Sequence, residues 1–237
     1  MGMLFWLAAI PPLFLLYKVY QLDSIEREPV KLIAALLAAG GLTTLVAGAL
    51  ESVCSVLYTW TPNVYISGFI QYFIVVAIAE EGVKYLALRK FSWNHPAFNY
   101  TFDGVVYAVA VSLGFALVEN IMYVGMFGPG TALVRAFTAI VLHGICGIFL
   151  GIYYGLAKKQ AVAGDEKGAS ALIKKGFMIA VLTHGMYDFC ASMGTEIWTA
   201  IFFAFLCALY IIAYRKIKAF QQQDSRVDGF GGPGFGR

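Results

Sequence analysis

The stretch VYISGFIQYFIVVAIAEEGVKYLAL, residues 64–88, decides how this chain is read. It is long and apolar enough to cross a bilayer, yet near one end it holds Glu80, Glu81 and Lys84. An ionised side chain at bilayer depth costs about 2.5–3.5 kcal/mol on insertion scales, so three of them need partners or a purpose.

The rest of the chain fits the same setting. Of its 237 residues, 60% are hydrophobic and 13% charged, against roughly 25% charged in a soluble domain. The expected fold is all-α and polytopic. Seven apolar segments of membrane length fall at about 2–20, 30–51, 64–88, 103–126, 131–157, 174–193 and 196–214. Pro11-Pro12 should kink the first. Residues 1–218 read as one membrane domain, and the Gly-rich 219–237 as a flexible cytoplasmic tail. Neither a duplicated half nor inverted repeats are visible.

Basic residues set the orientation. Lys18, Arg27 and Lys31 mark the first loop, Arg89 and Lys90 the third, and Lys158, Lys159, Lys167, Lys174 and Lys175 the fifth. Arg215, Lys216, Lys218, Arg226 and Arg237 mark the C-terminal end, whereas the even loops carry little beyond Arg135. The positive-inside rule then puts the odd loops and the C-terminus in the cytoplasm and the N-terminus outside. The net charge of +3 and the absence of a basic stripe argue against nucleic-acid binding. Cys54, Cys146, Cys190 and Cys207 show no CxxC spacing and read as packing residues. Asp23, Glu26, Arg27 and Glu28 read as a solvated interfacial turn, and His95 as a structural loop residue.

Ionisable residues recur inside the apolar segments: Glu119 in the fourth, His143 in the fifth, His184 and Asp188 in the sixth. Residues four apart share a helix face. His143 continues into Gly147, Gly151 and Gly155, a small-residue ridge that favours close helix approach. Gly176, Ala180, His184, Asp188 and Ser192 repeat that pattern, and Glu119 shares a stripe with Tyr107, Val111, Phe115 and Tyr123. At about 1.5 Å per residue, the histidines come out about 15–18 Å deep, Glu80 and Glu81 about 10–12 Å, and Glu119 about 24 Å from the side of Asp103. Lys84 is expected to neutralise one glutamate and snorkel to the cytoplasmic interface, and Asn120 to cap or orient a neighbour.

Two glutamates, two histidines and an aspartate sheltered from lipid suit hydrolysis: a base for water and donors for an oxyanion. The histidines can hold zinc with a carboxylate, Glu119 being the one offered as third ligand, or act without metal. A proton- or cation-coupled transporter would use the same groups as a relay, and a scaffold would use them as packing glue. Missing repeats argue against the transporter, and the number of converging ionisable groups against the scaffold.

Several motifs are similar to those of a known family. EEGVK (Glu80–Lys84) resembles the EExxK motif of the PrsW intramembrane proteases, FALVE (Phe115–Glu119) their FxxxE segment, and HGMYD (His184–Asp188) their HxxxD segment. YKVYQLDSIEREP and VRAFTAIVLHGICGIFLG also look like that family, so the resemblance reaches nearly everything but the tail. It implies a multi-pass protease of the bacterial plasma membrane that cleaves a membrane-anchored protein, such as an anti-sigma factor in stress signalling. By the same resemblance, Glu80 and Glu81 supply the general base, while His143 and His184 bind metal or polarise water and substrate. Asp188 orients His184 or stabilises the oxyanion. Where the wider superfamily often has histidine in the second motif, this chain has Glu119, as PrsW proteins do. The oligomeric state and the exact substrate stay open at this level.

Overall fold

A computed structural model describes residues 2–228. They form α1 (Gly2–Leu22), α2 (Val30–Cys54), the short α3 (Val56–Thr59), α4 (Val64–Phe69), a π-helical stretch (Ile70–Val76) and α5 (Ala77–Ser92). Then follow α6 (Asp103–Phe127), α7 (Pro129–Phe137), α8 (Ala139–Val162), α9 (Glu166–Ser192) and α10 (Glu196–Gln222). The described residues contain no strand, only an isolated bridge between Tyr100 and Arg226. The all-α polytopic expectation is met.

Six helical stretches are long and apolar enough to cross a membrane. The seventh expected span lies in α9, which at 27 residues is as long as α10 but carries Glu166, Lys167, Lys174, Lys175, His184 and Asp188. Its polar content keeps it off a purely hydropathic count, and two of these residues, His184 and Asp188, serve the site. α1 runs through Pro11 and Pro12 as one helix. The fifth apolar segment is two helices, broken at Thr138, where the backbone leaves helical geometry (φ −124°, ψ −86°).

α6 is the central rod, buried along most of its length from Asp103 to Ala116. Two glycine contacts let its neighbours reach it. A Cβ on Gly40 of α2 would lie 2.0 Å from the Val111 carbonyl oxygen, and one on Gly114 of α6 would lie 2.0 Å from that of Leu37. On its other side α8 presents the expected ridge: Gly147 meets Val109, Gly151 meets Val105, and a Cβ on Gly155 would lie 1.9 Å from the Thr101 carbonyl oxygen. Backbones this close exclude any larger side chain, the small-residue logic of helix association in lipid. Outward faces carry apolar groups such as Leu42, Val53, Val134, Ile197 and Ile211, as a lipid-facing surface requires.

Two expectations about polar segments need correction. The turn between α1 and α2 exposes Glu26 and Arg27 but buries Asp23 and Glu28, each 3% exposed. The C-terminal stretch is structured further than expected: α10 extends to Gln222, Asp224 Oδ1 accepts from the Phe102 amide and the Thr101 hydroxyl, and the Val227 amide donates to the Asn99 carbonyl. The remainder of the expected tail, 229–237, lies outside the described residues.

Candidate active site

The π-helical stretch Ile70–Val76 leads directly into the turn that bears Glu80 and Glu81. Its wider turn resets the angular register of the residues that follow, and such segments recur at functional sites. Both glutamates and Lys84 then face the bundle interior, with Glu81 0%, Lys84 1% and Glu80 5% exposed. The snorkelling expected of Lys84 does not occur. Its ammonium is instead the hub of the cluster, donating to Glu80 Oε2 at 3.0 Å and Glu81 Oε1 at 2.9 Å, and lying 3.0 Å from His143 Nδ1. It also sits 3.9 Å from the Phe115 ring centroid. The reason is local: helical spacing places Lys84 within reach of both acids, and a desolvated carboxylate pair holds an ammonium more tightly than the interface does.

α8 brings His143 into the same cluster in its second turn. The Nε2 of this imidazole lies 3.0 Å from Glu119 Oε2 of α6. Glu119 in turn accepts a hydrogen bond from Arg135 of α7, whose Nε donates to Asn120 Oδ1 and whose guanidinium stacks over Tyr123 at 4.1 Å. Asn120 donates to the Ala8 carbonyl and so fixes α1 to α6, which meets the expectation that it orients a neighbour. α9 supplies His184, whose Nδ1 lies 2.8 Å from Glu81 Oε1 and whose Nε2 lies 3.2 Å from Asp188 Oδ2. The two imidazole rings meet edge to face with centroids 5.1 Å apart.

Five of the six expected acids and histidines therefore lie along one polar chain, running from Arg135 through Glu119, His143, Lys84, Glu81 and His184 to Asp188, and the sixth, Glu80, branches from Lys84. The depth mismatch between Glu119 and His143 disappears because α8 begins only at Ala139, which leaves His143 near the same end of the bundle as Glu119, and the two side chains touch. Glu80, Glu81, His143 and His184 each offer a donor atom, and these atoms lie within 4.8 Å of one another. Glu119 stands behind His143, outside that group of four. The cluster is sealed at Glu81 and opens toward Glu119 and Asp188, whose side chains are 15% and 24% exposed.

Sequence reasoning passed over three contributors. Arg135 registered only as a charge in the wrong loop, although an arginine in an otherwise uncharged loop near an intramembrane acid is itself a signal. Glu51 of α2, unremarked before, lies within electrostatic reach of Glu119, His184 and Asp188. The π-helical stretch has no sequence signature that periodicity detects.

Acids and imidazoles brought together inside a lipid-sheltered helical bundle define a membrane protein with a buried polar site of hydrolytic composition. Comparison with known proteins names the class. The description "PrsW family intramembrane metalloprotease" matches residues 28–214, and the chain belongs to that family. It is an intramembrane protease. Protease PrsW of Oceanobacillus iheyensis is 32% identical over 208 residues, 88% of this chain and 91% of the relative. The corresponding proteases of Geobacillus kaustophilus and Bacillus subtilis are 29% and 28% identical over 88% of this chain, covering 88% and 91% of their own lengths. No solved structure matches.

Proposed function

We propose that Glu81 is the general base of a peptide-bond hydrolysis carried out on a membrane-anchored protein. The observation that carries this assignment is an orphan oxygen. Glu81 Oε1 is held by Lys84 and His184, while Oε2 is buried with no hydrogen-bond partner. A buried acceptor left unpaired is costly, and a water bound there repairs the deficit.

In this scheme the water oxygen adds to the scissile carbonyl carbon as its proton passes to Glu81. That proton then moves to the departing amide nitrogen while the C–N bond breaks, leaving a carboxyl and an amino end. Lys84 holds Glu80, Glu81 and His143 in register. Asp188 orients His184 through Nε2, and Glu119, fixed by Arg135, orients His143. Two imidazoles and two carboxylates, one with an unfilled oxygen, also fit a divalent metal, and zinc suits that nitrogen and oxygen donor set. Glu80, Glu81, His143 and His184 would hold it, with Glu119 as the carboxylate behind His143. Such an ion supplies a Lewis acid for the carbonyl or for water.

The orientation that fits the basic loops has the N-terminus outside and the C-terminus in the cytoplasm of a bacterial plasma membrane. The substrate to which the family resemblance points is an anti-sigma factor with one membrane span. The test uses purified protein in liposomes with a tagged single-span substrate. Glu81→Gln and His184→Ala should each abolish cleavage while the protein stays folded. Cleavage that survives in both variants removes the site assignment, and ion-coupled flux without a cut product moves the reading to a transporter.

A further inference from the structure

About 24 Å along α6 from Glu119, at the other end of the bundle, a second set of acids is buried. Asp23 and Glu28 come from the turn between α1 and α2, and Asp103 from the first residue of α6. Each offers a carboxylate oxygen, and the three atoms lie within 4.8 Å of one another. Asp103 is 0% exposed. None of the ion pairs among the described residues involves any of the three. The charges that act most strongly on Asp23 come from two more acids, Asp224 and Glu26.

The arrangement is built rather than incidental. The Tyr107 hydroxyl donates to Glu28 Oε2, and Asp103 Oδ2 accepts from the Asn99 and Tyr100 amides. The Tyr20 hydroxyl donates to the Glu28 carbonyl, Asn99 donates to Glu26, and Gln221 of α10 donates to the Leu22 carbonyl. Three parts of the chain thus close over the cluster.

The unused acceptors point to a ligand. Neither carboxylate oxygen of Asp23 nor Asp103 Oδ1 meets a donor at full hydrogen-bond geometry, although the Ile25 and Glu26 amides approach Asp23 and the Glu28 carboxyl approaches Asp103. Asp23 is therefore an unsatisfied, almost wholly buried side chain whose oxygen converges with two others. Burial, with a contribution from Asp224, pushes its carboxyl up to about 6, and burial pushes that of Glu28 up to about 7. Three acids packed without a cation repel one another and want a positive partner.

We infer that Asp23, Glu28 and Asp103 form a second cation site, taking one hard divalent cation, Mg²⁺ or Ca²⁺, remote from the catalytic cluster. All-oxygen donors select such ions over zinc. The ion ties the α1–α2 turn to the start of α6, beside the C-terminal segment that Asp224 anchors.

The test is thermal unfolding of the full chain in detergent, first with EDTA and then with MgCl₂ or CaCl₂ in excess. At a hundredfold excess over Kd, a cation bound only by the folded chain should raise Tm by about 5–10 °C. The shift should persist in Glu81→Gln, which alters the catalytic cluster, and vanish in Asp23→Asn. In EDTA, Asp23→Asn should melt at or above the wild-type temperature, because one of three repelling charges is gone. If Asp23→Asn does not fold, Glu28→Gln, which keeps an acceptor for Tyr107, carries the same test. The larger of the two salt responses identifies the ion. The inference fails if neither salt shifts Tm, if Asp23→Asn keeps the shift, or if Glu81→Gln abolishes it.

Discussion

Lys84→Met tests whether the catalytic cluster is held by one ammonium. The substitution keeps the length and apolar stem of Lys84 but removes the donor to Glu80 Oε2 and Glu81 Oε1, and the charge beside His143 Nδ1. Glu81 is 0% exposed and Glu80 5%, so neither can recover its loss in water. Removing one partner of a buried charge pair costs about 3–5 kcal/mol, because the other charge is stranded. For a chain of this size each kcal/mol moves Tm by about 2–4 °C, which gives a fall of about 6–20 °C. Thermal unfolding in detergent measures it, with cleavage of a tagged single-span substrate alongside, where a loss of about 10–100-fold is expected once the acids and His143 lose their common anchor. The decisive comparison is the double variant. If the cost comes from stranded charge, Lys84→Met with Glu80→Gln melts above Lys84→Met alone, a coupling that additive losses lack. The reasoning is refuted if Lys84→Met melts within about 2 °C of wild type, or if Glu80→Gln lowers its Tm further.

Asp188→Asn removes the carboxylate from His184 Nε2 and should lower cleavage about 10–100-fold with Tm little changed; wild-type rates would remove its positioning role. Arg135→Gln releases Glu119 and Asn120 together and should slow cleavage about tenfold or more, which Arg135→Lys should partly restore. Gly155→Ala pushes a methyl into the Thr101 backbone and should cost about 1–3 kcal/mol, whereas Gly48→Ala meets nothing within 4 Å and should leave Tm unchanged or raise it. Chelation should stop cleavage and added Zn²⁺ should restore it; activity that withstands full metal removal assigns the chemistry to the side chains alone.

Membrane residence, the helical class, and the six acids and histidines that meet in the buried cluster were legible in the one-dimensional pattern, whereas the parts of Arg135 and Glu51 were not. An apolar run of membrane length carrying an acid has few physical solutions, and four-residue spacing alone turns His143, Gly147, Gly151 and Gly155 inward. The family motifs added the reaction class. Lys84 shows where local reasoning stops: interface and interior are equally open to a lysine on helix geometry alone. The choice depends on His143 and Phe115, which arrive from α8 and α6. Asp23 and Glu28 were misplaced for the same reason, because their burial is set by Asp103, Tyr107 and the end of α10, all distant in sequence. The break at Thr138, the π-helical register before Glu80 and the clasp of Arg135 on Glu119 likewise depend on partners from other helices. Periodicity tells which face of a helix turns inward; which side chains meet there, and which charges cancel, is decided only when antiparallel rods pack at glycine contacts and exclude both water and lipid.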